Sequence, residues 1–345
     1  MASTENKTIN FYDRRTLLEM AEQLKRPTTF LLSTFFPRIR EFASESVDLD
    51  IYKGSRRKIA YVKRRAEGSN VTKRGYETNS FIPPYLKPKV TILPSDLRKR
   101  VPGEDLFITG GLDSRAQDYI AEQIDEVDQQ YIMAALEIQA MQAVYDGAVK
   151  AYDENGNLLA TVSYDRAAAL TFTESPLWSA GTANIPATGR KVGRLMRKES
   201  GFAPNMCVLG SDAVETFLID AGVQKALSKD WSARGGLAYD LRPNGGVWLG
   251  YMDGIDYWAY EEYYVDPADG VEKLLIPAKK ALYASTQAEG VQLYGALELI
   301  EQPMGARAIQ TYTVNDPNAA IFQIHSAPLC LTKYPDAYSV VTVLT

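Results

Sequence analysis

From Asp113 to Asp146 the chain runs without a proline or a glycine, and apolar residues return along it at steps of three and four: Ile120, Ile124, Val127, Tyr131, Ala135, Ile138, Met141 and Tyr145. That spacing lines one face of an α-helix. Asp113 or Ser114 can cap its start, and Gly147 can end it by entering the left-handed conformation at no steric cost. A helix of that length spans roughly 50 Å, more than the diameter of a small domain. It can hide its apolar stripe only if other elements run beside it. The sequence therefore predicts a spine with a sheet packed along one side and with Ile120, Ile124, Val127, Tyr131, Ile138 and Met141 in the core. Glu122, Asp125, Asp128 and Glu137 exclude a membrane span, and the heptads are too few for a coiled coil.

The chain before the spine has the opposite character. Phe81 to Pro94, "FIPPYLKPKVTILP", alternates like a strand but carries Pro83, Pro84, Pro88 and Pro94. Proline lacks a backbone N–H and fixes φ, so the segment is extended, belongs at an edge, and is expected to lack pairing partners within its own chain. Upstream, Lys53 to Arg74 holds nine basic residues (Lys53, Arg56, Arg57, Lys58, Lys63, Arg64, Arg65, Lys73, Arg74) against one acid, Glu67, in a chain of net charge −5. Interleaved with Tyr52 and Tyr61, such a ribbon suits either nucleic acid or the acidic surface of a partner, and an identical neighbour would supply the latter. Before it lie a short amphipathic helix, "RRTLLEMAEQL", ended by Pro27, and the run "TTFLLSTFF", apolar enough to be an anchor.

With 345 residues, 46% of them hydrophobic and 23% charged, the chain can bury a full core, and its length suggests about two domains. The first residues have neither a basic start nor an apolar core, and no stretch reaches the roughly 18 apolar residues of a membrane helix. Cys207 and Cys330 sit in apolar strand-like runs and read as buried reduced thiols. Beyond the spine, Asn155-Gly156 and Asp253-Gly254 predict hairpin turns. "IPATGRKVGRLMRKESG" is a basic helix, "NMCVLG" a buried strand, Ser211 or Asp212 the cap of the helix "DAVETFLIDA", and the tail after Ile321 returns to strands. The search for catalytic constellations is thin. His325 is the single histidine and reads as structural, Gly110-Gly111 and Gly235-Gly236 as turns, and "DENGN" as a poor calcium loop. Glu261 and Glu262 are adjacent, so on a strand they point to opposite faces and read as a solvated strand end. No catalytic, cofactor-binding or metal-ligating residue is assigned.

In order, "TLLEMAEQL", "FLLSTFF", "PPYLKPKVTILP", the acid-rich spine, "LLIPAKKALYASTQAEGVQLYGAL" and "IHSAPLCLTKYPDAYSVVTVLT" resemble the lambda-type major capsid protein family of tailed bacteriophages. The similarity covers nearly the whole chain and is most specific at "YLKPK" and "HSAPL"; residues 150 to 205 match poorly, and the loop is more basic than the family pattern. The resemblance implies an α+β protein of the Hong Kong 97-type capsid fold. Its parts would be an N-terminal arm and anchor over 1–45 and an extended loop over 46–95, formed by the basic β-ribbon and its proline-rich return. A peripheral domain would follow over 96–184 around the spine helix 113–146, then an axial α/β domain over 185–305 and C-terminal strands over 306–345 that return to the core. The loop would reach a neighbouring subunit through Arg56, Arg57, Lys58, Lys63, Arg64, Arg65, Tyr85, Lys87 and Lys89. The implied function is an icosahedral shell built from pentamers and hexamers of identical subunits around double-stranded DNA, which is held without sequence specificity. Scaffold, portal and decoration proteins are the further partners. The implied location is a virion capsid assembled in the host bacterial cytoplasm, with no enzyme activity and no membrane. No surplus stretch precedes the arm, so a separate scaffold protein is expected. Two rivals stay open on the residues alone: a DNA-binding protein using the basic ribbon, and a small-molecule enzyme with its site in 185–305.

Overall fold

The computed structural model describes residues 28–51, 77–93, 123–225 except positions 124, 154 and 182, 240–241, 245–266, 270–300, 303–315 and 318–345. Its centre is a seven-stranded mixed sheet in the order Thr171–Thr173, Tyr338–Thr342, Lys280–Ala284, Met206–Leu209, Ile255–Ala259, Val247–Met252 and Asp240–Leu241. Apolar runs such as "MCVL" and "ALYA" suit such positions because both faces are covered. Side-chain alternation sends Met206, Val208, Leu282, Ala284 and Val340 to one face. Cys207, Leu209, Ala281, Tyr283 and Val341 go to the other. The second face is covered by two helices, Ile185–Glu199 and Ser211–Ile219. The result is the mixture of helix and sheet expected of an α+β protein, and both cysteines are buried free thiols.

Local chemistry explains most of these elements. Asn184 caps the basic helix by accepting from the Ala187 N–H at 3.0 Å, and Pro186 occupies its first turn, where no N–H is needed. Asp253 and Gly254 both have positive φ, 53° and 86°, as the tight turn between Val247–Met252 and Ile255–Ala259 requires. At the other hairpin, Ala148–Tyr152 with Leu158–Ser163, Asp153 spends its carboxylate on the N–H groups of Asn155 and Asn157 and forms a turn. One expected cap is corrected. The helix Ser211–Ile219 starts from Gly210, with neither Ser211 nor Asp212 as a side-chain cap. Glycine is required there because a Cβ would come 2.2 Å from the Pro277 carbonyl oxygen, which is backbone and cannot rotate away.

The spine is present from position 125 to Gly147, which ends it at φ 71° as predicted; Ile120 and Ile124 lie outside the described residues. Its phase differs from the sequence expectation. A π-turn over Asp128–Ile132 precedes the α-helix Met133–Met141, and a second π-turn over Gln142–Asp146 follows. A π-turn inserts one extra residue and rotates everything after it. The face that begins at half-buried Val127 thus continues through Ile132, Leu136 and Ala140, while Tyr131 is 64% exposed. Ile138 is half-buried and Met141 is buried, so two of the six predicted core residues hold loosely, one fully, and Tyr131 does not. Leu136→Ala is expected to cost about 2–5 kcal/mol in denaturant unfolding, and Tyr131→Ala nearly nothing. Equal losses at the two positions would mean that the π-turn is misplaced.

The apolar run after Thr29 folds into a short helix, Phe30–Phe35, in which Phe30, Leu31, Leu32 and Phe35 are buried, followed by buried Phe36. It is an anchor, as expected, wedged between the spine and the sheet core. Gly290 makes this possible, since a Cβ there would lie 2.4 Å from the Phe36 ring. The chain then continues as Arg38–Glu41, parallel to Val291–Tyr294, which pairs antiparallel with Pro328–Leu331.

Candidate assembly surface

The proline-rich segment finds partners inside its own chain, which corrects the sequence expectation. Lys89–Ile92 is the edge strand of a three-stranded sheet, antiparallel to Asn318–His325, which in turn pairs with Ala308–Asn315. Leu86 and Ser326 exchange two backbone hydrogen bonds at 2.7 and 3.0 Å. One step further on, Pro88 accepts from the Ile324 N–H through its carbonyl at 3.0 Å and has no N–H to return. The prolines therefore confine the strand to an edge, as their chemistry requires, and remove one rung without preventing pairing. Position by position, Tyr85 is half-buried and bonds within its own chain. Its hydroxyl accepts from the Glu298 N–H at 3.1 Å and lies 2.8 Å from His325 Nδ1. His325 is buried, and burial followed by the charge of Lys87 holds its imidazole below the ordinary range, so it stays neutral. Lys87 and Lys89 are both exposed on one side of the segment.

Val47–Ile51 and Glu77–Phe81 form a two-stranded antiparallel stem, in register from Val47↔Phe81 to Ile51↔Glu77. Phe81 meets the Tyr164 ring edge-on at 6.2 Å and ties the stem to the body. The basic residues Arg56, Arg57, Lys58, Lys63, Arg64 and Arg65 lie outside the described residues. Around the stem and the edge sheet, large apolar side chains face solvent: Ile82 at 67%, Ile309 at 52% and Met304 at 45%.

Sequence reasoning missed a buried polar cluster at the anchor. Glu137 on the spine is 2% exposed. Its Oε1 accepts from the Leu31 N–H at 2.8 Å and its Oε2 from the Leu32 N–H at 2.9 Å, while the Tyr260 hydroxyl lies 2.8 Å from Oε1. Burial outweighs these contacts and pushes the carboxyl up to about 7. Glu262, read from sequence as a solvated strand end, lies beyond the strand and accepts from the Thr28 hydroxyl at 3.0 Å. The available signal was an acid placed within the apolar window "AALEIQAM".

A mixed sheet with helices on one face, a helical spine, a two-stranded stem and an apolar anchor helix together define the Hong Kong 97-type phage capsid fold. The same fold is found in a crystal structure of a prophage capsid protein from Escherichia coli CFT073, with a TM-score of 0.68 at 16% identity over 96% of this chain and 98% of that one. The capsid of cyanophage A-1(L) gives a TM-score of 0.52 at 13% identity, over 92% and 93%. The family profile of phage major capsid protein E matches residues 13–343, and the chain belongs to that family. It is 26% identical to the P21 prophage-derived major head protein of Escherichia coli CFT073, over 97% of this chain and all of that one. It is 25% identical to the major capsid protein of Escherichia phage lambda, over 96% and 98%.

Proposed function

We infer that this chain is the shell-building subunit of a tailed-phage virion, and the family match across residues 13–343 carries that reading. Copies of the chain associate through heterologous contacts that close into a container. The division into N-terminal arm, extended loop, peripheral domain, axial domain and returning C-terminal strands is part of the proposal. So are the pentamers and hexamers, the scaffold, portal and decoration partners, the packaged double-stranded DNA, assembly in the host cytoplasm, and a purely structural, non-catalytic role. The basic ribbon serves contacts between subunits in this reading, because a basic segment on a chain of net charge −5 is drawn to its neighbours and the chain as a whole repels a polyanion. Electron microscopy and size-exclusion chromatography of the expressed protein, alone and with its neighbouring gene products, should show shells or their ring-shaped precursors. Unassembled subunits should bind duplex DNA weakly at low salt. Submicromolar duplex affinity that falls roughly a thousandfold or more between about 50 and 200 mM salt would return the ribbon to the DNA-binding reading.

A further inference from the structure

Two carboxylates, Glu137 and Glu262, are joined through two hydroxyls. Glu262 Oε2 lies 3.0 Å from Thr28 Oγ1, Thr28 Oγ1 lies 2.6 Å from the Tyr260 hydroxyl oxygen, and that oxygen lies 2.8 Å from Glu137 Oε1. All three separations are hydrogen-bond distances, and each needs one proton between its two oxygens. Thr28 and Tyr260 own one hydroxyl proton each, and an ionised carboxylate owns none. Two protons cannot fill three contacts. With both carboxylates ionised, one pair of oxygens would face each other lone pair to lone pair.

We propose that the third proton resides on Glu137, and that it makes the chain Glu137–Tyr260–Thr28–Glu262 a one-proton clasp holding Thr28, beside the anchor helix Phe30–Phe35, to the body. The proton lies on Oε1 and points to the Tyr260 oxygen. Tyr260 then donates to Thr28, and Thr28 donates to Glu262. The Leu31 and Leu32 N–H groups keep their acceptors. Glu137 holds the proton because it is buried, whereas Glu262 is half-buried at the wetter end of the chain. Tyr260 does not supply the missing proton by ionising, since burial and then the charge of Glu137 push its hydroxyl far up.

The titratable groups facing Glu137 are Tyr260 and Glu262, beyond the strand Ile255–Ala259, and Cys330 on Pro328–Leu331, whose thiol is raised by burial and then by the Glu137 charge. The anchor contributes backbone N–H groups and the Thr28 hydroxyl. The folded carboxyl titrates near 7, raised from an ordinary 4.5. A raised carboxyl stabilises the fold fully below its unfolded value and loses that contribution as pH climbs through the folded value. The chain is therefore complete in mild acid; above neutrality Tyr260 donates to the ionised Glu137, Thr28 keeps Glu262, and the contact between the two hydroxyls is the one left without a proton.

The test is an infrared titration of the full-length, unassembled protein in D2O from about pH 5 to about pH 9. A protonated-carboxyl band should persist to about pH 7 and be missing from Glu137→Gln. Thr28→Val removes the third contact and leaves the Tyr260 donor free to serve an ionised Glu137. It should lower the midpoint by roughly one pH unit, a tenfold loss of proton affinity. A band absent above about pH 5, or a midpoint unchanged by Thr28→Val, would each overturn the clasp. If Glu137→Gln does not fold, Thr28→Val decides alone, because valine fills the threonine volume.

Discussion

A subunit whose residues 52–76 are replaced by a short Asn-Gly turn is expected to fold as a monomer and to build no shells. The stem runs in register to Ile51↔Glu77, so a tight turn can close it without moving either strand. The body keeps the Phe81–Tyr164 contact, the Leu86–Ser326 bridge and the edge strand Lys89–Ile92. A wider cut, from Lys53 to Pro94, is expected to destabilise the fold, because it removes buried Ile92 and the Tyr85 partner of His325. Far-UV circular dichroism and denaturant unfolding test the fold, and size-exclusion chromatography with electron microscopy tests assembly. Aggregation of the narrow deletion would place the ribbon in the subunit core. Shells formed by it would remove the ribbon from the interface.

The second large effect is expected at the anchor. Phe36 is fully buried, its ring lies over the space Gly290 leaves open, and its carbonyl accepts from Gln292 Nε2 at 2.7 Å. Phe36→Ala should cost about 3–5 kcal/mol, because the cavity lies between elements that cannot collapse into it. A large fraction of a domain's total stability is at stake, so partial unfolding at room temperature is the expected phenotype. Ile39→Ala, three residues on and 58% exposed, should change stability little. A denaturation midpoint that falls equally for both would show that the anchor is not part of the core.

Sequence alone carried the architecture further than it carried the contacts. The spine, its glycine stop, the anchor, the Asn184–Glu199 helix region and the Asp253-Gly254 hairpin all announce themselves through periodicity or turn chemistry, which are local properties. The position of Tyr131 was not legible, since a π-turn leaves the spacing of apolar residues intact and alters only which of them face inward. Gly210 as a helix start was hidden for a related reason: the need for glycine comes from the Pro277 carbonyl, distant in sequence. The pairing of Lys89–Ile92 with Asn318–His325 was misjudged because prolines forbid a central strand yet leave an edge strand free to use its carbonyls. Glu262 read as a solvated strand end and Glu137 only as a charge that excludes a membrane span, and only tertiary contact brings them to the two ends of one hydroxyl chain.

The strand Tyr338–Thr342 lies between Thr171–Thr173 and Lys280–Ala284 in the seven-stranded sheet, parallel to the first and antiparallel to the second. A growing polypeptide therefore cannot complete its main sheet until Thr342 has been synthesised, and until then two strand edges stay open. Pairing partners so far apart in the chain also form slowly. The strand Thr171–Thr173 therefore waits, unpaired on this side, for a segment made much later, and the main sheet closes only when both are present.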